Sequence, residues 1–342
     1  MSPEVFLDET PGETRGIIAR DGRFEHLIIH RDDDPPQDRL GARSVGRVVQ
    51  SEPGFGAAFI DMGSIGRPGL LPFGQGRPPR EGEFVEVEVT AEPREHKGPT
   101  VRALGPASGP PRLLHPGSDI ATELARLAPG ATVQTGSTAI QAVWDSEEEA
   151  LATGALFPEV ALDLAVERTR ALIAVDVDYA HLAGKDPRRG RARANLEGLR
   201  QAARLIRLKS WGGLVAIDLV GTRLDADAIM AAARDAFPEP GVAFGPLNRF
   251  GVLQFSLPWG RTPVEERLRG WNGSRALATT AIDIVRRLRM RMLEDTATPR
   301  FTARCHPDEA AVVAPLAARL GPRAAVIADP SVRPGGSDIE ES

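Results

Sequence analysis

Two apolar stretches of the sequence each carry an acidic residue close to their carboxyl end. Asp176 lies in the run 171–177, and Asp218 lies in the run 214–220. A carboxylate inside such a run is costly unless it is paired or bound to a metal. Because carboxylate oxygens suit hard cations, this pair predicts a Mg²⁺ site, with Mn²⁺ as the alternative ion.

A third carboxylate, that of Asp178, follows two residues after Asp176. Residues i and i+2 of a strand point to the same face, so Asp178 joins the pair if the strand extends that far. Three carboxylates around one point repel one another, which favours a bound cation. The alternative, that one aspartate caps a helix or pairs with an arginine, stays open at this point.

A basic segment separates the two acidic runs. It contains one acid, Glu197, and eight basic residues: Arg188, Arg189, Arg191, Arg193, Arg200, Arg204, Arg207 and Lys209. We expect this excess of one sign to neutralise phosphates in a salt-dependent way, the alternative being a solvated helix face. A second run, at 286, 287, 289 and 291, is a weaker signal because arginines also stabilise the C-terminal end of a helix.

The elements around these residues follow a strand–helix–strand order. The run 171–177 suits a buried strand, 195–209 is an amphipathic helix with Asn195 as its N-cap, and Gly212-Gly213 precedes the strand 214–220. This order predicts parallel neighbouring strands, with the ligand site at their carboxyl ends. Further elements are expected at 226–236 (helix), 251–257 (strand), 274–293 (helix), 301–305 (strand), 309–320 (helix) and 324–328 (strand), with a frayed tail at 330–342.

The N-terminal half has a different pattern. A strand at 5–7 precedes a hairpin, 14–19 and 25–30, whose turn is Asp21-Gly22. Five short strands at 46–49, 57–61, 69–72, 84–90 and 100–103 predict a small closed barrel of the OB type, the alternative being a generic β-domain. Segments 31–39 and 104–115 resemble linkers. After the second of these segments and before the run 171–177, we expect a helix at 120–127, strands at 131–135 and 140–143, and a helix at 147–153.

Composition sets outer limits on the class of protein. The 342 residues have a net charge of −5, and only three of the 42 basic residues are lysine. Arginine suits bidentate phosphate contacts and base stacking, so the acidic balance does not exclude nucleic acid. No apolar run is long enough to cross a membrane, no secretory signal is visible, and one cysteine permits no intrachain disulfide. We therefore expect a cytoplasmic protein without a membrane partner.

The order of these segments resembles the RNase E/G family of bacterial endoribonucleases. Residues 46–48, 57–63 and 69–72 are similar to its S1-type RNA-binding insert. The stretches similar to its catalytic region are 167–178 (first catalytic strand), 195–218 (helix and second catalytic strand) and 249–253 (a later strand).

The resemblance implies an α/β multi-domain fold. An S1-type OB-fold barrel (39–105) interrupts a reduced RNase H-like region (1–38 plus 116–168). A DNase I-like catalytic domain (169–270) and a small C-terminal α/β domain with the frayed tail (271–342) follow. The implied activity is hydrolysis of phosphodiester bonds in single-stranded RNA by Mg²⁺-activated water, leaving a 5′-phosphate. Asp176 and Asp218 would bind the metal, with Asp178 orienting or assisting.

Several residues correspond to RNA contacts of the family. Phe59 matches an aromatic residue that stacks on a base, the alternative being barrel core, and Leu70 replaces a second aromatic. Lys97 is similar to a basic residue near the RNA, the alternative being a solvated loop lysine. The expected phosphate clamp centres on Arg188, Arg189, Arg191 and Arg193.

The sequence also departs from the family. Asp178 stands where the family has Asn, most of the region that holds the 5′-monophosphate sensor is missing, and the zinc-binding CxxC is absent, Cys305 being alone. These features describe a shortened, divergent member without zinc. A homo-oligomer remains open, but not through a zinc link. The second hypothesis is a catalytically weak or inactive RNA-binding or ribosome-associated protein, and a non-nuclease metal-dependent phosphohydrolase is a distant third.

Overall fold

The computed structural model describes residues 2–74, 77–180, 186–270 and 273–342. In chain order the strands are β1 (Glu4–Thr10), β2 (Glu13–Arg20), β3 (Arg23–Arg31), β4 (Arg43–Glu52), β5 (Ala57–Asp61), β6 (Gly69–Pro72), β7 (Phe84–Ala91), β8 (Thr100–Pro106), β9 (Arg112–His115), β10 (Val133–Gln134), β11 (Gly154–Phe157), β12 (Leu162–Arg168), β13 (Ile173–Tyr179), β14 (Gly213–Asp218), β15 (Ala243–Phe244), β16 (Val252–Leu257), β17 (Phe301–Cys305), β18 (Ala324–Ala328) and β19 (Ser337–Glu341).

The helices are α1 (Ile120–Leu127), α2 (Ser137–Leu151), α3 (Pro187–Leu208), α4 (Ala226–Ala236), α5 (Val264–Leu268), α6 (Leu277–Glu294) and α7 (Pro307–Ala317). Two compact units result. The first extends to Glu148 and resumes at Thr262, and the second comprises Glu149–Arg261.

The first unit contains a closed five-stranded barrel. Its strands pair in the order β4-β5-β6-β8-β7, and β7 pairs again with β4 to close the ring. Apolar side chains that include Val48, Ile60, Leu71 and Val87 fill its interior. The barrel is OB-like, as predicted from the short strands. The segment 104–115 is not only a linker, because residues 112–115 form β9 and pair with the outer edge of β4.

The N-terminal hairpin also forms as predicted. Asp21 and Gly22 have positive φ angles of 52° and 71°, the geometry of a tight hairpin turn between β2 and β3. These strands join β1 and β10 in one sheet, whose buried face packs on Ile120 and Leu124 of α1.

Two expectations for the first unit are wrong. Residues 140–143 are not a strand but lie within α2, where Ala139, Ile140 and Val143 are buried on one helical face. The tail is not frayed throughout, because β19 pairs antiparallel with β17. Glu340 of that strand pairs with Arg304 at 2.7 Å, so cross-strand charge pairs hold a segment with few apolar residues.

The second unit is a six-stranded sheet in the order β11-β12-β13-β14-β16-β15. The pair β13–β14 is parallel, and the neighbouring pairs are antiparallel. Residues on one face are buried, as Val175, Val177 and Ile217 are, while Ala174, Asp176, Asp178 and Asp218 next to them in the chain are exposed. The sheet therefore has one covered face and one open face.

The second unit comprises Glu149–Arg261, whereas the expected DNase I-like catalytic domain comprises residues 169–270. Residues 154–157 and 162–168, which the resemblance assigns to the RNase H-like region, form β11 and β12 in the same sheet as β13. Residues 262–270, which we placed in the catalytic domain, lie in the first unit. The RNase H-like and DNase I-like assignments themselves stay predictions.

Candidate active site

The acidic pair sits at matched positions of two parallel strands. Asp176 of β13 is the register partner of Asp218 of β14, and neighbouring strands lie about 4.8 Å apart. Both residues are exposed, whereas Val175 and Ile217 beside them are buried. The alternation of the strand therefore brings both carboxylates to the open face, near the carboxyl ends of β13 and β14.

The charges that act on the pKa of Asp176 in the described part of the chain are all negative. Partial burial raises the pKa of Asp176 above its ordinary value, and the charge of Asp218 adds to that rise. The carboxylates of Asp178 and Asp163 act in the same direction. Across the described residues, neither Asp176 nor Asp218 has a hydrogen-bond or ion-pair partner. Within the described residues, therefore, no arginine pairs with Asp176 or Asp218, and the alternative left open by the sequence does not apply.

Asp178 lies on the same face, one step further along β13. It is exposed and directly opposite Asp163 of β12. Its Oδ1 accepts a hydrogen bond from the Tyr179 backbone N–H at 2.7 Å. Asp163 escaped the sequence reasoning because β12 was not predicted, although its alternation of apolar and polar residues is a strand signal.

The pair fits a small divalent cation. Nowhere in residues 2–74, 77–180, 186–270 and 273–342 do three His, Cys, Asp or Glu side chains form a ready-made metal cage. Mg²⁺ does not need one, because it keeps several waters and is usually bound by one or two carboxylates together with substrate phosphates. Asp176 and Asp218 supply that number of carboxylates on an open surface.

Asn195 positions the chain that follows Asp218. Its side-chain amide donates to the Val220 carbonyl, and its Oδ1 accepts from the Val220 N–H, both at 3.0 Å. Asn195 was expected to cap α3, but the helix begins two turns earlier, where Asp186 Oδ1 accepts from the Arg188 N–H at 2.9 Å. Buried inside the helix, Asn195 instead ties α3 to the end of β14.

The expected phosphate clamp lies on the first two turns of α3, where its four arginines are exposed: Arg188, Arg189, Arg191 and Arg193. The Arg191 side chain lies over Gly221, where a Cβ would come within 3.7 Å of its Nε. Positive side chains at a helix N-terminus add to the positive end of the helix dipole, which is unfavourable without a counter-charge and favourable for an anion.

The rest of the basic segment is structural. Arg204 pairs with Glu149 at 2.8 Å, and the Lys209 Nζ donates to the Ala150 carbonyl at 2.7 Å. Arg200 and Arg207 are held by Glu197 and Glu239 at 2.6 and 3.2 Å. Of the basic residues expected to bind phosphate over 188–209, the four exposed arginines at the start of α3 therefore stay candidates.

The barrel residues take separate positions in the first unit. Phe59 and Leu70 are register partners across β5 and β6, both half-buried, while Ala58 and Ile60 fill the interior. Phe59 thus lies outside the barrel core. Lys97 is in a turn beside Glu95, with Nζ 3.2 Å from its carboxylate and a side chain 67% exposed. This is an exposed ion pair of small energetic value.

The sheet defines the second unit as an α/β domain with a candidate ligand site at the carboxyl ends of its parallel strands. The model of the Ribonuclease E/G family matches residues 149–255, which include Asp176, Asp218 and the four arginines. This match supports membership of that family and lies within the second unit, Glu149–Arg261. No curated protein matches the chain. Over the stretches that the structure describes, no helix has the length and hydropathy needed to span a bilayer.

Proposed function

We propose that the protein is a metal-dependent endoribonuclease that hydrolyses phosphodiester bonds of single-stranded RNA. The observation that carries the proposal is the register match of Asp176 and Asp218 on an open face, with neither carboxylate paired among the described residues. The family match over residues 149–255 supports RNA as the substrate class.

Each residue has a role in this proposal. Asp176 and Asp218 would hold Mg²⁺, or Mn²⁺ as the alternative ion, with no zinc required. A bound ion of this kind lowers the pKa of water and stabilises charge on a phosphate. Hydrolysis adds the oxygen of water to phosphorus and breaks the bond to the 3′ oxygen, so the products are a 3′-hydroxyl and a 5′-phosphate. Asn195 fixes the chain behind Asp218, and Asp178 orients or assists.

The positive groups would hold the substrate. Arg188, Arg189, Arg191 and Arg193 lie exposed at the start of α3 and would neutralise phosphates that flank the scissile bond. In the barrel, the exposed side of Phe59, its neighbour Leu70 and Lys97 are the proposed RNA contacts. Leu70 offers no aromatic face, so we expect stacking there to rest on Phe59 alone.

A second candidate is an RNA-binding protein that cleaves weakly or not at all. The observation that favours it is the like-charge pair Asp163–Asp178, which adds negative charge beside Asp176. Such charge opposes the approach of a phosphate when no cation compensates it.

Cleavage of a 5′-labelled single-stranded RNA in Mg²⁺ separates the two candidates. Asp176→Asn and Asp218→Asn should each lower the rate by orders of magnitude, because the ion would lose a ligand. Asp235→Asn is the matched control, since Asp235 is an exposed aspartate on α4 of the same unit. Equal cleavage by all variants, or none by the wild type while RNA still binds, would favour the second candidate.

A further inference from the structure

The loop between β15 and β16 is a rigid turn. Asn248 Oδ1 accepts hydrogen bonds from the N–H groups of Phe250 and Val252, at 2.9 and 3.0 Å. The Asn248 N–H donates to the Val252 carbonyl at 3.1 Å, and the Gly251 N–H to the Asn248 carbonyl at 3.1 Å. Four hydrogen bonds within five residues fix the direction in which Arg249 and Phe250 leave the backbone.

This turn lies beside the end of β14. Val252 is the register partner of Asp218, and the Leu219 N–H donates to the Gly251 carbonyl at 3.2 Å. Gly251 has a φ of +87°, and a Cβ there would come within 3.3 Å of the Leu219 carbonyl oxygen. The close approach explains the glycine and sets Phe250 two residues from the partner of Asp218.

Phe250 presents its ring to solvent. Its exposed fraction is 72%, whereas Phe237 and Phe255 of the same unit are buried. The Arg249 guanidinium lies 4.8 Å from the centre of the Phe250 ring. A single exposed apolar residue is ordinary on a protein surface, so exposure alone indicates nothing. An exposed ring beside an arginine is a combination with which proteins bind single-stranded nucleic acid. Here it lies on a rigid turn next to Asp218, the register partner of Asp176.

We propose that Phe250 and Arg249 form a stacking platform for one RNA base next to the phosphate at Asp176 and Asp218. The inference rests on the proposed function and adds a substrate subsite to it. Arg191, which lies over Gly221, flanks the same segment after Asp218 and would hold a neighbouring phosphate. Because every base has an aromatic face, the platform tolerates sequence but requires an unpaired base.

Binding measurements test the platform without any cleavage. The full chain carrying Asp176→Asn and Asp218→Asn is titrated with a single-stranded RNA and with versions that lack one base at a time. Loss of the stacked base should weaken binding about 5- to 150-fold at one position only. Phe250→Ala should weaken binding of the intact RNA by a similar factor. This variant should then bind the intact RNA and the RNA that lacks the stacked base with equal affinity.

Further variants distinguish stacking from apolar contact or misfolding. Phe250→Trp should keep affinity, and Phe250→Leu, which preserves bulk without a ring, should lose it. Leu156→Ala is the matched control, because Leu156 is 69% exposed on β11, at the opposite edge of the same sheet. If RNA binds equally well to Phe250→Ala or Phe250→Leu, the platform is wrong while the proposed function stands. If the chain binds no RNA at all, the proposed function fails and the platform with it.

Discussion

Asp176 and Asp218 are direct register partners in adjacent parallel strands, and both point to the open face of their sheet. Partial burial and, after it, the charge of Asp218 raise the pKa of Asp176, so the ionised form of this carboxyl disfavours the folded state. A fold keeps such a pair only where the backbone that carries it is stabilised elsewhere, here by the buried faces of β13 and β14. The pair is therefore better explained by binding than by stability.

This relationship predicts that Asp218→Asn stabilises the metal-free protein. The raised pKa of Asp176 means that the stability of the folded state falls as pH rises through the interval between the unfolded and folded pKa values. Removing the Asp218 charge should recover up to about 1 kcal/mol at pH 7, since exposed charges are well screened. The gain should disappear at a pH where the Asp176 carboxyl is protonated.

Urea unfolding in EDTA at neutral and acidic pH measures this difference. The control variant Asp235→Asn should show no gain in stability at neutral pH. Added Mg²⁺ should raise the midpoint of the wild type more than that of Asp218→Asn, because only the wild type keeps both carboxylates. A less stable Asp218→Asn protein in EDTA at pH 7 would contradict the repulsion argument.

The position of Asp178 beside Asp176 predicts that its replacement raises the Mg²⁺ concentration needed for cleavage. Asp178→Asn removes one charge from the face that Asp176 shares, so Mg²⁺ should bind more weakly. A unit charge about 7 Å from a divalent ion is worth about 1 kcal/mol in water, so the half-saturating Mg²⁺ concentration should rise about fivefold. The cleavage rate at saturating Mg²⁺ should stay within about tenfold of the wild type.

Mg²⁺ titrations of the cleavage rate measure this effect. Asp163→Asn should shift the titration in the same direction, because Asp163 faces Asp178 across the strands. A rate at saturating Mg²⁺ as low as that of Asp218→Asn would instead make Asp178 an essential ligand.

The start of α3 predicts how RNA binding depends on salt. Replacing Arg188, Arg191 and Arg193 with glutamine should weaken binding for all sequences alike. Each lost phosphate contact on a single strand lowers the slope of log K against log salt by about 0.7, so the triple variant should lose about 2. Arg200→Gln is the control, because Arg200 is already paired with Glu197. Fluorescence anisotropy at several salt concentrations measures the affinity and its salt dependence for both variants. An unchanged slope in the triple variant would show that these arginines do not contact phosphates.

Local patterns were enough to predict the acidic pair and the barrel. The apolar runs around Asp176 and Asp218, with a glycine pair before the second, indicate two strands and their direction. Strands 57–61 and 69–72 form with the predicted limits, since each combines β-prone residues with flanking turn residues. Short-range signals of this kind act within a few residues and can be found in the sequence.

Pairings over long sequence distances could not be predicted in the same way. The expected strand at 140–143 is one case, because Ile140 and Val143 are three residues apart and lie on the buried face of α2. From the sequence, the arginines at 286, 287, 289 and 291 indicate only a second, weaker basic run or the C-terminal end of a helix. In the structure, Arg286 is fully buried against Asp8 and Glu13, more than 270 residues away in the chain. No local pattern contains that information.

The buried position of Arg286 predicts a large loss of stability when its charge is removed. Its Nε and Nη2 donate to Asp8 and Glu13, both at 2.9 Å, and all three side chains are inaccessible to solvent. Arg286→Met should cost about 3–5 kcal/mol, because it takes one cationic partner from each of two buried carboxylates. Arg291→Met should cost far less, since Arg291 on the same helix pairs with the exposed Glu341 and solvent screens that pair.

The same variant should change the response to acid. Burial alone would raise the pKa of Glu13, but the charges of Arg15, Arg286 and Arg31 lower it to about 2. This lowered pKa contributes stability that is complete above the ordinary pKa of 4.5 and is lost as pH falls toward 2. Without Arg286 the pKa of Glu13 rises, so less stability should disappear between pH 7 and pH 3. Urea unfolding at both pH values measures this, and an Arg286→Met protein as stable as Arg291→Met would show that the buried network does not stabilise the first unit.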